Sequence, residues 1–148
     1  MEWFVRRFIR ASLAWLALGI TLGLCMAAHP GWIIYRPAHV HMNLVGFVSM
    51  MIFGVAYHVV PRFTGNPLSS RTMPAYHWWI SNLGLAGMVM GFMLQPHAGM
   101  HGTAFLIAGG LLETIGAYLF VYNIWRTTAG RAPVAPAVAR RPFPVHQS

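Results

Sequence analysis

The chain has 148 residues, room for one domain, with 57% hydrophobic and 8% charged residues and a formal net charge of +8. That composition belongs to a protein in lipid and excludes an ordinary soluble fold. All ten basic residues are arginines and lie outside the apolar runs, so the positive charge reads as membrane orientation and no nucleic-acid partner is expected.

The first apolar segment, residues 8–28, follows Arg6, Arg7 and Arg10 and reads as an uncleaved first helix rather than a signal peptide. Gly19 and Gly23 within it let another helix come close. A link, residues 29–37, leads to the second segment, residues 38–60, with Pro37 suited to its start and Pro61 to Gly65 ending it. This segment carries no formal charge and makes a helix of about 34 Å, enough for the ~30 Å hydrocarbon core of a bilayer.

Two histidines stand at its mouth. His39 and His41 are two residues apart, about 200° around a regular helix, so they cannot grip one ion together but can each ligate on their own side. Gly46 lies seven residues beyond His39, two turns along the same face, and removes a side chain that would obstruct a flat ligand.

The third segment, residues 75–94, carries a small-residue stripe at Gly84, Gly87 and Gly91, and residues 95–99 break it. The fourth covers residues 103–125. From residue 127 the tail is rich in Pro, Ala and Arg and is expected to be disordered or surface-bound. The fold class is therefore all-α: an integral membrane protein with four transmembrane helices in residues 1–126. Four crossings put both termini on one side, with nine of the ten arginines, which makes that side cytoplasmic. Arg36 alone lies opposite, so His39 and His41 sit near the outer face.

The block Ala38-His39-x-His41, its apolar run, His58, Pro61, Phe63 and Gly65 resembles the tenth transmembrane helix of haem–copper oxidase subunit I, a family of respiratory oxidases and nitric oxide reductases. The resemblance continues more weakly through Tyr76-His77-Trp78 (the eleventh helix) and through Leu119-Phe120 and Asn123-x-Trp125 (the twelfth). It covers residues 38–126. It implies that the first histidine of the pair, His39, holds a high-spin haem and the second, His41, a low-spin one. No C-x-x-C-H occurs, so the haem would be b-type. The single cysteine, Cys25, also excludes an internal disulfide. The resemblance stops short of the family's copper centre: there is no His-Pro-Glu segment and no adjacent His-His pair, and copper is not expected.

Other candidates are read beside their plainer alternatives. Arg36 would neutralise haem propionates, or be an interfacial anchor. Glu113, the sole acid within a helix and ~15 Å deep, is expected to be protonated or hydrogen-bonded, for proton transfer or for a helix-to-helix bond. His97 and His101, near His29, Met26 and Met100, form an outer cluster that could hold Cu(I), although Pro96 and Gly99 favour solvated loop histidines. His58 and His77 read as ordinary interface polar residues.

The function expected is a membrane-embedded haem b protein for electron transfer or for binding O2 or NO. It is oxidoreductase-like by resemblance only. The alternative is a copper-handling or oxidase-assembly membrane protein using the outer His/Met cluster. Expected partners are membrane lipid, a redox partner on the outer side and further copies of the chain. The chain resembles one four-helix arc of a twelve-helix subunit, so a trimer is favoured and a dimer is the alternative. His41 of one chain and His39 of its neighbour would then hold one iron.

Overall fold

A computed structural model describes residues 2–130, and the expected tail, with Arg131, Arg140, Arg141 and His146, lies outside the described residues. Four long helices follow one another: α1 Trp3–Ala28, α2 Pro30–Thr64, α3 Met73–Ala98 and α4 Met100–Ala129. No strand occurs among the described residues. In lipid no water satisfies the backbone, so each crossing must close its own hydrogen bonds.

Three helices, α1, α2 and α4, are long and apolar enough to cross a membrane. α3 is as long as α1 but is diluted by Tyr76, His77, Trp78, Trp79, Ser81 and Asn82 near its start and by Gln95, Pro96 and His97 at its end. It touches all three of the others. α2 also touches all three of its neighbours, so these two helices join the bundle, and His77 and Ser81 of α3 are buried within it.

Most helices run beyond the expected bounds, and Pro61, expected to end the second, lies inside α2, which continues to Thr64 before Gly65; three further differences matter more. The expected link before the histidines is a 3-10 turn, Pro30–Tyr35, that runs directly into α2. The expected break at residues 95–99 shrinks to Gly99 alone, whose φ of +41° suits glycine; Pro96 sits in the last turn of α3. The third difference lies inside α2. Its segment Met42–Ser49 is a π-helix, so the regular helix expected from residue 38 to residue 60 is interrupted just after His41. Two side chains take backbone carbonyls there: Asn43 Nδ2 donates to His39 O at 2.8 Å and Ser49 Oγ to Leu44 O, five residues back, at 3.0 Å. Wide turns of this kind often mark functional sites.

α1 and α2 run antiparallel in a register set by small residues. A Cβ at Gly23 would come 2.7 Å from His39 Cε1, one at Gly19 2.6 Å from Asn43 Nδ2, one at Gly46 2.6 Å from Trp15 Cβ, and one at Gly54 2.8 Å from Phe8 Cβ. α3 and α4 approach backbone to backbone: a Cβ at Gly109 would stand 2.5 Å from Met88 N and 2.6 Å from Gly84 O. Both ends of the described chain gather at one end of the bundle, where Asn66 Nδ2 donates to Thr127 O (3.1 Å) and Gly130 O (2.6 Å). Arg6, Arg7, Arg10, Arg62, Arg71 and Arg126 belong to that end, and Arg36 to the other.

The glycine contacts give a paired expectation. Gly109→Ala should lower stability in denaturant titrations in mixed micelles by about 1–3 kcal/mol, because backbone must shift to admit the methyl group. Gly110→Ala, next to it but with open space around it, should stay within about 0.5 kcal/mol of the parent. Equal midpoints for the two variants would refute this packing.

Candidate functional site

The bundle end far from residues 2 and 130 carries the histidine pair. His39 turns toward α1, where Gly23 leaves a notch for its ring, and its Nδ1 lies 2.7 Å from Gly19 O. A carbonyl oxygen only accepts, so Nδ1 carries the proton and the Nε2 lone pair is free. The 3.4 Å approach of Asn43 Nδ2 to the same Nδ1 sets two donors side by side and is no hydrogen bond. His41 repeats the arrangement with its own helix: Nδ1 donates to Pro37 O at 2.8 Å, again leaving Nε2 free. Its ring packs on Phe92 of α3, centroids 4.6 Å apart at 39°. Both rings are half-buried. They leave opposite sides of α2, one toward α1 and one toward α3, in agreement with their spacing.

Arg36 is exposed on the same helix, about one turn before His39 and five residues before His41. The face bared by Gly46 is covered within the chain by Trp15 and Leu85, and Trp15 Nε1 is tied to Asn82 Oδ1 of α3 at 3.1 Å. His97 is helical rather than in a loop; its Nε2 meets the Tyr35 hydroxyl at 2.8 Å. His101 lies beyond the reversal at Gly99, on the first turn of α4, so the four-residue spacing does not place the two on one helix. His29 stacks on Trp32, centroids 5.5 Å apart. No group of three or more His, Cys, Asp or Glu side chains able to hold a metal ion gathers among the described residues. Two cavities, of about 430 and 110 Å³, open at the arginine-rich end and touch neither His39 nor His41.

The structure also shows a polar cluster that sequence reasoning missed. His77, read above as an interface residue, is wholly buried. Its ring lies among Phe53 (4.7 Å), Phe8 (4.9 Å) and Phe120 (5.8 Å), and its Nδ1 is 3.0 Å from the Tyr57 hydroxyl. Its Nε2, Ser81 Oγ and Glu113 Oε1 are buried without hydrogen-bond partners. A signal was present: His77 and Ser81 are one turn apart, a polar edge on an otherwise apolar helix. Position along the chain places His77 near the interface, whereas the face it shares with Ser81 points inward.

No protein-family model matches the chain. It is similar to several oxidase subunits. It is 29% identical over 130 residues to the cytochrome c oxidase subunit 1 homolog (bacteroid) of Bradyrhizobium diazoefficiens, an alignment covering 70% of this chain and 24% of that protein. It is 25% identical over 162 residues to the Cbb3-type cytochrome c oxidase subunit CcoN1 of Stutzerimonas stutzeri, covering 87% of this chain and 34% of that one. It is 31% identical over 107 residues to the putative cytochrome c oxidase subunit 1-beta of Streptomyces coelicolor, covering 61% and 18%. The chain spans about a third or less of the length of these relatives. It is thus a multi-pass membrane protein that resembles a piece of haem–copper oxidase subunit I.

The notch at Gly23 makes His39 sensitive to a change on another helix. Gly23→Val should push the ring off Gly19 O and cost about 1 kcal/mol for the lost hydrogen bond. Nitrogen chemical shifts of labelled histidine should show the Nδ1-protonated tautomer for His39 in the parent and lose that signature in the variant. An unchanged spectrum would show that the notch does not orient the ring.

Proposed function

We propose that the chain binds b-type haem through His39 and His41, near the outer face of a bacterial plasma membrane, and serves electron transfer or the binding of O2 or NO. One observation carries this reading: both imidazoles are held by a backbone carbonyl at Nδ1, with Nε2 left as the free donor. A neutral imidazole oriented through its second nitrogen is what an axial haem ligand requires, so the donor set fits the group. When bound, haem supplies reversible one-electron exchange at iron or an open coordination position for a gas.

The chain's own residues do the rest. Gly19 O and Pro37 O fix the two rings and raise the basicity of Nε2. Phe92 walls one side of His41, and Arg36 stands at the same end for an anionic propionate. The arginine distribution supports a cytoplasmic position for the end that carries the termini. A redox partner would then approach from the outer side. The outer His/Met cluster is the weaker rival, because Tyr35 already engages His97 Nε2.

The two rings leave opposite faces of α2, so one chain cannot clamp one iron between them. The second ligand would come from another copy, and an interface that closes under rotation fits this need. The relatives are several times longer than the aligned part, which supports a trimer rebuilding the outline of one longer subunit, with His41 of one copy and His39 of the next on the same iron.

Replacing both His39 and His41 by alanine should abolish haem retention while the protein still inserts, whereas replacing His97 and His101 should leave haem unchanged. Visible spectra with metal analysis read both, and equal haem per chain in the parent and the His39/His41 variant would end the haem reading. For assembly, the mass in nanodiscs with haem counted per chain should give three chains and up to one haem per interface. A haem-replete monomer would overturn the shared site, and a stable dimer would overturn the ring.

A further inference from the structure

The larger of the two cavities has a lining that neither the haem assignment nor the helix packing uses. Of about 430 Å³, it lies where the loop before α3 meets the end of α4, and Asn66, Ser69, Arg126, Thr127, Ala129 and Gly130 line it. That volume falls within the ~300–1,000 Å³ of small-molecule sites. Phe63 and Trp125, close to it in sequence, are 87% and 72% exposed. Exposed aromatic rings beside arginine at helix ends mark the membrane–water interface, so the cavity stands at the level of lipid headgroups.

Its polar groups are of two kinds. Asn66 is buried, and its Nδ2 is spent on two carbonyls, Thr127 O at 3.1 Å and Gly130 O at 2.6 Å. Those acceptors fix the orientation of the amide, and Oδ1 is left as an acceptor without a hydrogen-bond partner. Beside it is the last turn of α4, and the final carbonyls of a helix lack intrahelical donors and carry partial negative charge. Thr127 Oγ1 is already engaged, accepting from Ser69 N at 3.0 Å and donating to Asn123 O at 2.7 Å. This wall suits a cationic N–H donor. Arg126 suits the opposite charge. The chain's only acids are Glu2 and Glu113; Glu2 lines the other cavity, and Glu113 lies about 20 Å back along α4. The Arg126 guanidinium therefore has no carboxylate of its own chain at this cavity.

We propose that the cavity is a headgroup site for phosphatidylethanolamine, a phospholipid that carries a phosphate and a primary ammonium together. The phosphate pairs with Arg126, and the ammonium serves Asn66 Oδ1 and the end of α4. A choline headgroup has the same phosphate and the same charge but no N–H to give. A glycerol headgroup has hydroxyls without a positive charge, and free phosphate satisfies Arg126 alone. The site lies at the opposite end of the bundle from His39 and His41 and shares no residue with the haem assignment.

Native mass spectrometry of the full-length protein, released from nanodiscs of equal parts phosphatidylethanolamine, phosphatidylcholine and phosphatidylglycerol, tests this. The parent should keep the ethanolamine lipid with about tenfold preference over the choline lipid, because a hydrogen bond from a charged donor is at stake. Methylating the ammonium nitrogen stepwise should erode retention, with the largest drop at the third methyl group, which removes the last N–H. Arg126→Gln should weaken retention of all three lipids, and Asn66→Ala should abolish the preference for ethanolamine over choline. Equal retention of the ethanolamine and choline lipids overturns the site. A preference for phosphatidylglycerol, or displacement of lipid by excess inorganic phosphate, overturns it in favour of a plain anion site. Retention unchanged in Arg126→Gln, or a preference unchanged in Asn66→Ala, places the lipid elsewhere and overturns it too. If Asn66→Ala fails to fold, the methylated series and Arg126→Gln decide.

Discussion

The hydrogen bond from His39 to the carbonyl of Gly19 depends on α1 coming close enough for a ring on α2 to reach its backbone. Gly23 permits that approach, and Asn43 against Gly19 and Trp15 against Gly46 continue the same contact along both helices. One register thus sets the tautomer of His39, the cover over Gly46 and the direction of His41 toward α3. Any residue larger than glycine at position 23 displaces the ring or the helix.

The second organising constraint is that lipid cannot satisfy polar groups. α3 touches all three other helices, and its His77, Ser81 and Asn82 side chains lie against them, while Gln95 and His97 near its end are exposed. Trp15 with Asn82 and Tyr57 with His77 cross between helices, and Asn123 ties α4 to Ser70 in the loop before α3, at points where an apolar pair would hold equally well without specifying register. The glycines of α3 and α4 meet backbone to backbone, which presses Glu113 against the polar edge of α3 rather than toward lipid.

These two arrangements occupy opposite halves of the bundle. The histidine pair lies at the end with a single arginine, and the Tyr57–His77 contact lies toward the end with the other six arginines among the described residues. The resemblance to oxidase subunit 1 covers most of the chain yet only a quarter or so of the relatives.

Much was legible in the sequence because membrane helices are local objects. Uncharged apolar runs bounded by arginine, proline and glycine determine where crossings lie, and the two-residue spacing of His39 and His41 alone dictates that they leave opposite sides of a helix. The arginine count at each end follows from the number of crossings. Tertiary structure decided what those faces meet. The π segment at Met42–Ser49, where Asn43 and Ser49 also bond backbone carbonyls, is something a hydropathy pattern does not register. Gly46 reads as an open surface until Trp15 is seen to fill it. His77 sits at a depth suited to the interface, yet the rotation of α3 points it into three phenylalanine rings and a tyrosine hydroxyl. Rotation is set by how neighbouring helices pack, and one helix's own residues do not contain it.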